Sequence, residues 1–502
     1  MTPAAMRDFD AGAAEHMAFS EAASPSGQYI SPNESVATLN ADRLFPSDLT
    51  TRSIARRLYT SISCVPILSP HGHANPRWFS KNEPFADPAQ LFVVPDHYVY
   101  RMLYSQGVPL EQLGIGVASV EDPRTAWRIF AQHYYLFRGT PTRLWLDFAF
   151  QELFGLAARL SPANADEYFD AIVEKLRTPA FRPRALFERF QLEVLATTDS
   201  PLDSLADHDA IRAASFQGFK GRIIPTFRPD PVVDPDLPGF EENLARLGQM
   251  TRMDTSDWQG YLFALRQRRL EFKMLGCTAT DHGHPTAATA DLEPDAANRL
   301  FQKIASGKGE PHERELFRAQ MLTEMAAMSL DDGLVMQIHP GSLRNHNTQL
   351  FQRFGRDMGA DIPVPINYVE ALRPLLSRFG NEPRLSIILF TLDESTYSRE
   401  LAPLAGHYPC LRLGPAWWFN DSPEGIMRFR EYTTETAGFY NTVGLNDDTR
   451  AFLSIPARHD VARRVDCSFL ARLVAEHRLD EDEAHEIASD LAYGLARKAY
   501  RL

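Results

Sequence analysis

Residues 64–79 read CVPILSPHGHANPRWF. The stretch opens on an apolar run with β-branched residues, Val65-Pro66-Ile67-Leu68, and arrives at His71-Gly72-His73. Side chains alternate across an extended chain, so histidines at i and i+2 point to the same side. Two imidazoles converging at the carboxyl end of a strand are the beginning of a divalent-metal site. Gly72 between them leaves the backbone free to approach closely.

The rest of the chain supplies companions for that strand. From residue 192 onward, short apolar runs alternate with long helical stretches. The runs are 192–198, 222–227, 276–281, 334–339, 385–392, 411–417 and 440–445. Helical patterns lie between them, for example over 257–275, 311–329, 368–379 and 422–436. Nearly continuous apolar strands separated by helices predict a parallel sheet. With the opening strand the runs number eight, which predicts an α/β fold, a (β/α)8 barrel of the TIM type. An open doubly wound sheet is the alternative, and its glycine-rich phosphate fingerprints are missing.

Between the first and second strands the pattern is helical, predicting a long helical insertion over about 75–191. Trp127, Phe130, Tyr134, Tyr135, Trp145, Phe148 and Phe154 fall there at roughly helical spacing, and core packing is their expected role. Helices over 460–497 are expected to close the outer ring. Residues 1–45, rich in Ala, Ser, Pro and Asn, read as a flexible lead-in, and 46–502 as one barrel domain.

The chain has 502 residues and 44% hydrophobic content, ample for a large core. No stretch approaches the roughly 20 unbroken apolar residues of a membrane helix, and the opening residues, acidic and without a long apolar run, do not read as a secretory signal. Its net charge of −13, without a basic stripe, argues against a nucleic-acid partner. Four scattered cysteines (Cys64, Cys277, Cys410 and Cys467) predict reduced thiols and a cytoplasmic setting.

Chemistry on such barrels is built at the carboxyl ends of the strands. Taken in order, those ends carry His71 and His73; Thr198 and Asp199; Arg228; Asp281, His282 and His284; and His339 with Arg344 beyond it. Thr391 and Asp393 follow, then Trp417, Trp418 and Asn420, and finally Asn446, Asp447, Asp448 and Arg450. The two strand-one histidines and an aspartate of the last strand make a catalytic-type zinc set with open positions. Arg344, Arg450 and Arg228 suit a substrate carboxylate, which a guanidinium grips with paired hydrogen bonds. A metal facing a hydroxyl or carbonyl, with an aspartate at hand, is equipped to move protons beside a carbonyl.

These motifs, in this order, resemble uronate isomerase (glucuronate isomerase) of the amidohydrolase superfamily, from about Asp42 to the C-terminus. The carriers are HGH at 71–73, DHYVYR at 96–101, TTDSP at 197–201, PTFRPD at 225–230, DHG at 281–283, MQIHPGSLRN at 336–345, WWFND at 417–421 and DTRAFLS at 448–454. The resemblance implies interconversion of D-glucuronate with D-fructuronate, and of D-galacturonate with D-tagaturonate, through a cis-enediol. It implies a divalent metal, zinc, on His71, His73 and Asp448. It places Tyr98, His97 and His282 in the catalytic group and gives Arg344 and Arg450 the sugar acid. Asp448 is expected as the base, with Tyr98, or His97 in its place, as the acid. The expected partner is a small-molecule hexuronate, bound by a homo-oligomer. The chain departs from the family pattern at Ser69, Gly72, Ser200 and His346. A mononuclear metal-dependent hydrolase is the rival reading, and no lysine at the third strand end supports a two-metal version.

Overall fold

The computed structural model describes residues 39–116, 122–215 and 218–502. The expected lead-in therefore lies, up to residue 38, outside the described residues. The architecture is α/β, and the large sheets are parallel. Strands β1 (Ile67–Ser69), β2 (Leu192–Ala196) and β3 (Arg222–Ile224) form one run in that order. β4 (Ala279–His282), β5 (Val335–Ile338), β8 (Ile387–Leu389) and β9 (Leu411–Leu413) form a second. Single parallel bridges from Asp199 to Phe227 and from Phe227 to Thr280 connect the two runs. A short antiparallel pair, β6 (Ser342–Leu343) with β7 (Ile362–Pro363), stands apart.

The run at 440–445, expected as a strand, is a single bridge between Thr442 and Leu413. Two local features stop it from extending. The Thr442 N–H turns back to the Phe439 carbonyl at 3.1 Å. Gly444 takes a left-handed φ of +76°, and a Cβ there would meet the Leu491 carbonyl oxygen at 2.8 Å. Only glycine tolerates both conditions at low cost. Beyond it the chain reaches the first strand: the His73 N–H donates to Thr449 O at 3.0 Å, and the Asp448 N–H to His71 O at 3.3 Å.

Every described element between β1 and β2 is helical, and the caps explain where the helices begin. Asn75 accepts from the Arg77 N–H and starts Pro76–Lys81 directly after the histidines. Asp96 accepts from the Tyr98 N–H and starts His97–Tyr104. Pro123 and Pro141 sit just inside their helices, behind the side-chain caps Asp122 and Thr140. Of the aromatic residues expected in the core, Trp127, Phe130, Tyr134 and Phe154 are almost fully buried together, and Phe148 is half-buried. Tyr135, however, is exposed. The Trp127 indole N–H donates to Ala165 O at 2.8 Å, so the ring loses no hydrogen bond on burial. Trp127→Ala is expected to cost about 3–5 kcal/mol in urea unfolding, through the cavity and that orphaned carbonyl. A loss under about 1 kcal/mol would contradict this packing.

The C-terminal helices, expected to close an outer ring, carry the chain back to the strands. After Leu495–Ala499, Tyr500 is fully buried among Ala279, Val335, Ile388 and Val443, and its hydroxyl donates to Gln337 Oε1 at 3.1 Å. The chain thus returns to the strands and fills space that their short side chains leave open. Among the described residues, no helix is long and apolar enough to cross a membrane.

Candidate active site

Both strand-one histidines converge on one carboxylate. Nε2 of His71 lies 3.3 Å and Nε2 of His73 3.1 Å from Asp448 Oδ1. Ligand atoms of these three residues all fall within 4.8 Å of one another. Asp448 Oδ1 is buried, yet neither imidazole meets it with hydrogen-bond geometry. A buried, orphaned carboxylate oxygen between two imidazoles is a donor set suited to a divalent cation. Burial opposes charge on Asp448, but the two imidazoles outweigh it and hold the carboxyl far below the usual range. Asp448 has a φ of +40°, a region in which Asp and Asn are enriched. Gly72 has a different standing from the one expected: a Cβ there would sit in ordinary contact, 3.6 Å from Asp447 Oδ1.

Behind the histidines lies a buried ionic group. Asp281 Oδ1 is 2.8 Å from His339 Nε2 and Oδ2 is 3.3 Å from Arg228 Nη1. Arg228 Nε also donates to Asp230 Oδ2 at 2.8 Å. Burial works against charge on Asp230, but Arg228 pulls its carboxyl down to about 2. Asp281 is likewise held ionised, its burial offset by His339, His71 and Arg228. Arg228 is thereby held in the cavity wall between two carboxylates. A Cβ on Gly283 would lie 2.4 Å from Arg228 Nη2 and 2.9 Å from both Asp230 Oδ2 and His339 Cε1. That glycine is what lets the guanidinium and the imidazole pack side by side.

A cavity of about 360 Å³ opens over these groups. His71, His73, His97, Asp199, Arg228, His339, Arg344, Asp448 and Arg450 all line it, as do Tyr100 of the 96–101 motif and two residues outside the motifs, Arg356 and Asp357. Arg344 Nη1 donates to Asp361 Oδ2 at 3.0 Å, and Arg450 lies 3.4 Å from Asp357. Arg356 makes no hydrogen bond or ion pair among the described residues. Burial works against charge on Asp357, but Arg450, Arg344 and Arg356 together outweigh it and lower its carboxyl. Arg344, Arg356, Asp357 and Asp361 all belong to the excursion between β6 and β7. Tyr100 ties that excursion down, its hydroxyl donating to Asp357 O at 2.5 Å.

Two expected site residues are turned away. The Tyr98 hydroxyl donates to Asp421 Oδ1 at 3.1 Å and accepts from the Phe419 N–H at 2.8 Å. Its ring packs against Trp145, and burial beside the Asp421 charge keeps the phenol protonated. On the opening turn of helix His97–Tyr104, His97 and Tyr100 line the cavity and Tyr98 does not. His282 is fully buried, with Nε2 2.9 Å from Thr280 Oγ1. Thr280 and His282 share one side of β4, so Asp281 takes the other and reaches His339. The alternation rule alone could have selected Asp281. Burial depresses both His97 and His282 to about 3, so both imidazoles are neutral near pH 7.

Fold and site together define an α/β enzyme with a candidate divalent-metal centre at the carboxyl ends of parallel strands. The family model described as glucuronate isomerase matches residues 44–500. The uronate isomerase of Rhizorhabdus wittichii is 65% identical over 464 residues, covering 92% of this chain and 98% of that protein. That of Phenylobacterium zucineum is 64% identical over 467 residues, covering 92% and 97%. The crystal structure of glucuronate isomerase from Caulobacter crescentus superposes with a TM-score of 0.91 at 60% identity, covering 92% of this chain and 97% of that one. The uronate isomerase of Thermotoga maritima gives 0.86 at 28% identity, covering 92% and 99%. The chain belongs to the glucuronate isomerase family and is an isomerase.

Proposed function

We propose that this isomerase interconverts D-glucuronate with D-fructuronate, and D-galacturonate with D-tagaturonate, by proton transfer through a cis-enediol. One observation carries the reading: an ionised carboxylate flanked by two histidines shares a cavity with arginines at its mouth. His71, His73 and Asp448 would hold a divalent ion, zinc in this reading, which supplies Lewis-acid polarisation of the sugar carbonyl. Asp448 takes the proton from C2 and returns it at C1 as the enediol collapses, and the O2 hydroxyl proton passes to O1 in the same conversion. His97, neutral and facing the cavity, donates a hydrogen bond to the neighbouring oxygen, as a neutral imidazole can in enediol chemistry. Arg450 and Arg344 bind the sugar carboxylate, joined by Arg356. Arg228, already neutralised from within, positions Asp281 and His339 instead of gripping substrate.

In the same reading the strands close into a (β/α)8 barrel of the amidohydrolase superfamily, with the 442–449 segment as the eighth stave. The bonds from His73 to Thr449 and from Asp448 to His71 support that closure. The helices between β1 and β2 then form an insertion on one barrel domain. Free cysteines fit a cytoplasmic setting.

The assignment is tested by ketose formation from D-glucuronate with two variants beside the native protein. Tyr98→Phe is expected to keep kcat within about tenfold, because its hydroxyl serves Asp421 and Phe419. His97→Gln is expected to lose about a hundredfold or more. The reverse ranking would return the acid role to Tyr98, and absence of ketose with the native protein would favour a hydrolase.

A further inference from the structure

Asp199 is a cavity-lining carboxyl with no part in the proton transfer between C1 and C2. It is 7% exposed, at the end of β2, and Thr198 beside it donates from Oγ1 to Gly72 O at 2.9 Å. That bond sets Asp199 next to the turn carrying both candidate metal-binding histidines. Its Oδ2 accepts from Thr197 Oγ1 at 2.6 Å, and the buried His208 Nε2 is 2.9 Å from the same Oγ1. Thr197 has one hydroxyl proton, and the 2.6 Å contact is much shorter than its alternative, Ile224 O at 3.3 Å. With that proton on Oδ2, His208 is fixed as the Nε2–H donor, and burial, which lowers it to about 4, keeps it neutral. A proton taken up by Asp199 therefore goes to Oδ1, to which no side chain among the described residues hydrogen-bonds.

The chemistry asks for such a group. Hexuronates rest as cyclic hemiacetals, whereas transfer between C2 and C1 needs the open aldehyde. We propose that Asp199 opens the sugar ring, with Thr197 and His208 positioning its carboxylate. The Asp199 carboxylate takes the proton of the O1 hydroxyl as the C1=O1 bond forms and the C1–O5 bond breaks. The same oxygen then delivers that proton to O5, so no other reactant is required. Burial, helped by the nearby Asp203 charge, raises Asp199 to about 7, so both of its protonation states are accessible near neutrality.

This inference rests on the uronate reading, and anomer exchange separates the two. Asp448→Asn protein, blocked at the C2 proton, is mixed with D-glucuronate, and α–β interconversion is followed by exchange NMR at the anomeric protons. The variant is expected to accelerate interconversion about a hundredfold over buffer. Adding Asp199→Asn should return the rate to that of buffer, with the melting temperature and saturation by glucuronate retained. Thr197→Val should lower the exchange rate and Thr197→Ser restore it. Full acceleration in the double variant, or none in Asp448→Asn alone, would overturn the proposal. Anomer exchange that depends on Asp199 in a native protein making no ketose would sustain ring opening and sink the isomerase reading.

Discussion

Asp448→Asn is expected to lower kcat for uronate isomerisation by about a thousandfold or more while leaving the thermal melt nearly unchanged. The amide keeps the size of the side chain and accepts the left-handed backbone found at Asp448 (φ +40°). It lacks the charge that two imidazoles at 3.3 and 3.1 Å sustain. Losing that charge removes both the base and one of the three candidate metal ligands, so bound metal should fall together with turnover. Activity within tenfold of the native protein would show that another group carries the C2 proton.

The second large effect belongs to a residue with no chemistry of its own. Gly283→Ala is expected to reduce kcat about a hundredfold. Its methyl group would arrive 2.4 Å from Arg228 Nη2 and 2.9 Å from His339 Cε1. Neither neighbour can step aside cheaply: Asp230 and Asp281 hold the guanidinium, and Asp281 holds the imidazole. A displacement of about 1 Å in a catalytic array costs on the order of a hundredfold. Gly72→Ala is the control, because a Cβ there meets only ordinary contacts at 3.6 Å. Equal losses in both variants would contradict the packing described for Gly283.

What could be read from the sequence divides along physical lines. The parallel strands are short, apolar and buried on both faces, so they stand out as runs; each run from 192 to 417 overlaps an observed strand. The last run failed as a strand because the Thr442 N–H is spent on the Phe439 carbonyl and Gly444 turns left-handed beside Leu491, neither of which an apolar run reveals. Metal-ligand residue types pointed to His71, His73 and an aspartate of the last strand; that the aspartate is Asp448 came from the resemblance, and the structure sets its carboxylate between the two imidazoles. Asp281 was named at its strand end but given no role, which went to His282; strand alternation separates the two, and it is Asp281 that reaches His339. Tyr98 and His97 are adjacent in sequence, and only the seating of their helix against Trp145 and Phe419 decides which faces the cavity. Arg356 and Asp357 carry no motif, and the cavity reaches them only because the β6–β7 pair folds their excursion over it.

The most direct test is incubation of the native protein with D-glucuronate in heavy water, following ketose and deuterium by NMR. A cis-enediol route with Asp448 as the shuttle predicts D-fructuronate carrying solvent deuterium at C1, to the extent that the base exchanges its proton before returning it. D-galacturonate should likewise yield D-tagaturonate. No ketose from either sugar acid would contradict the account.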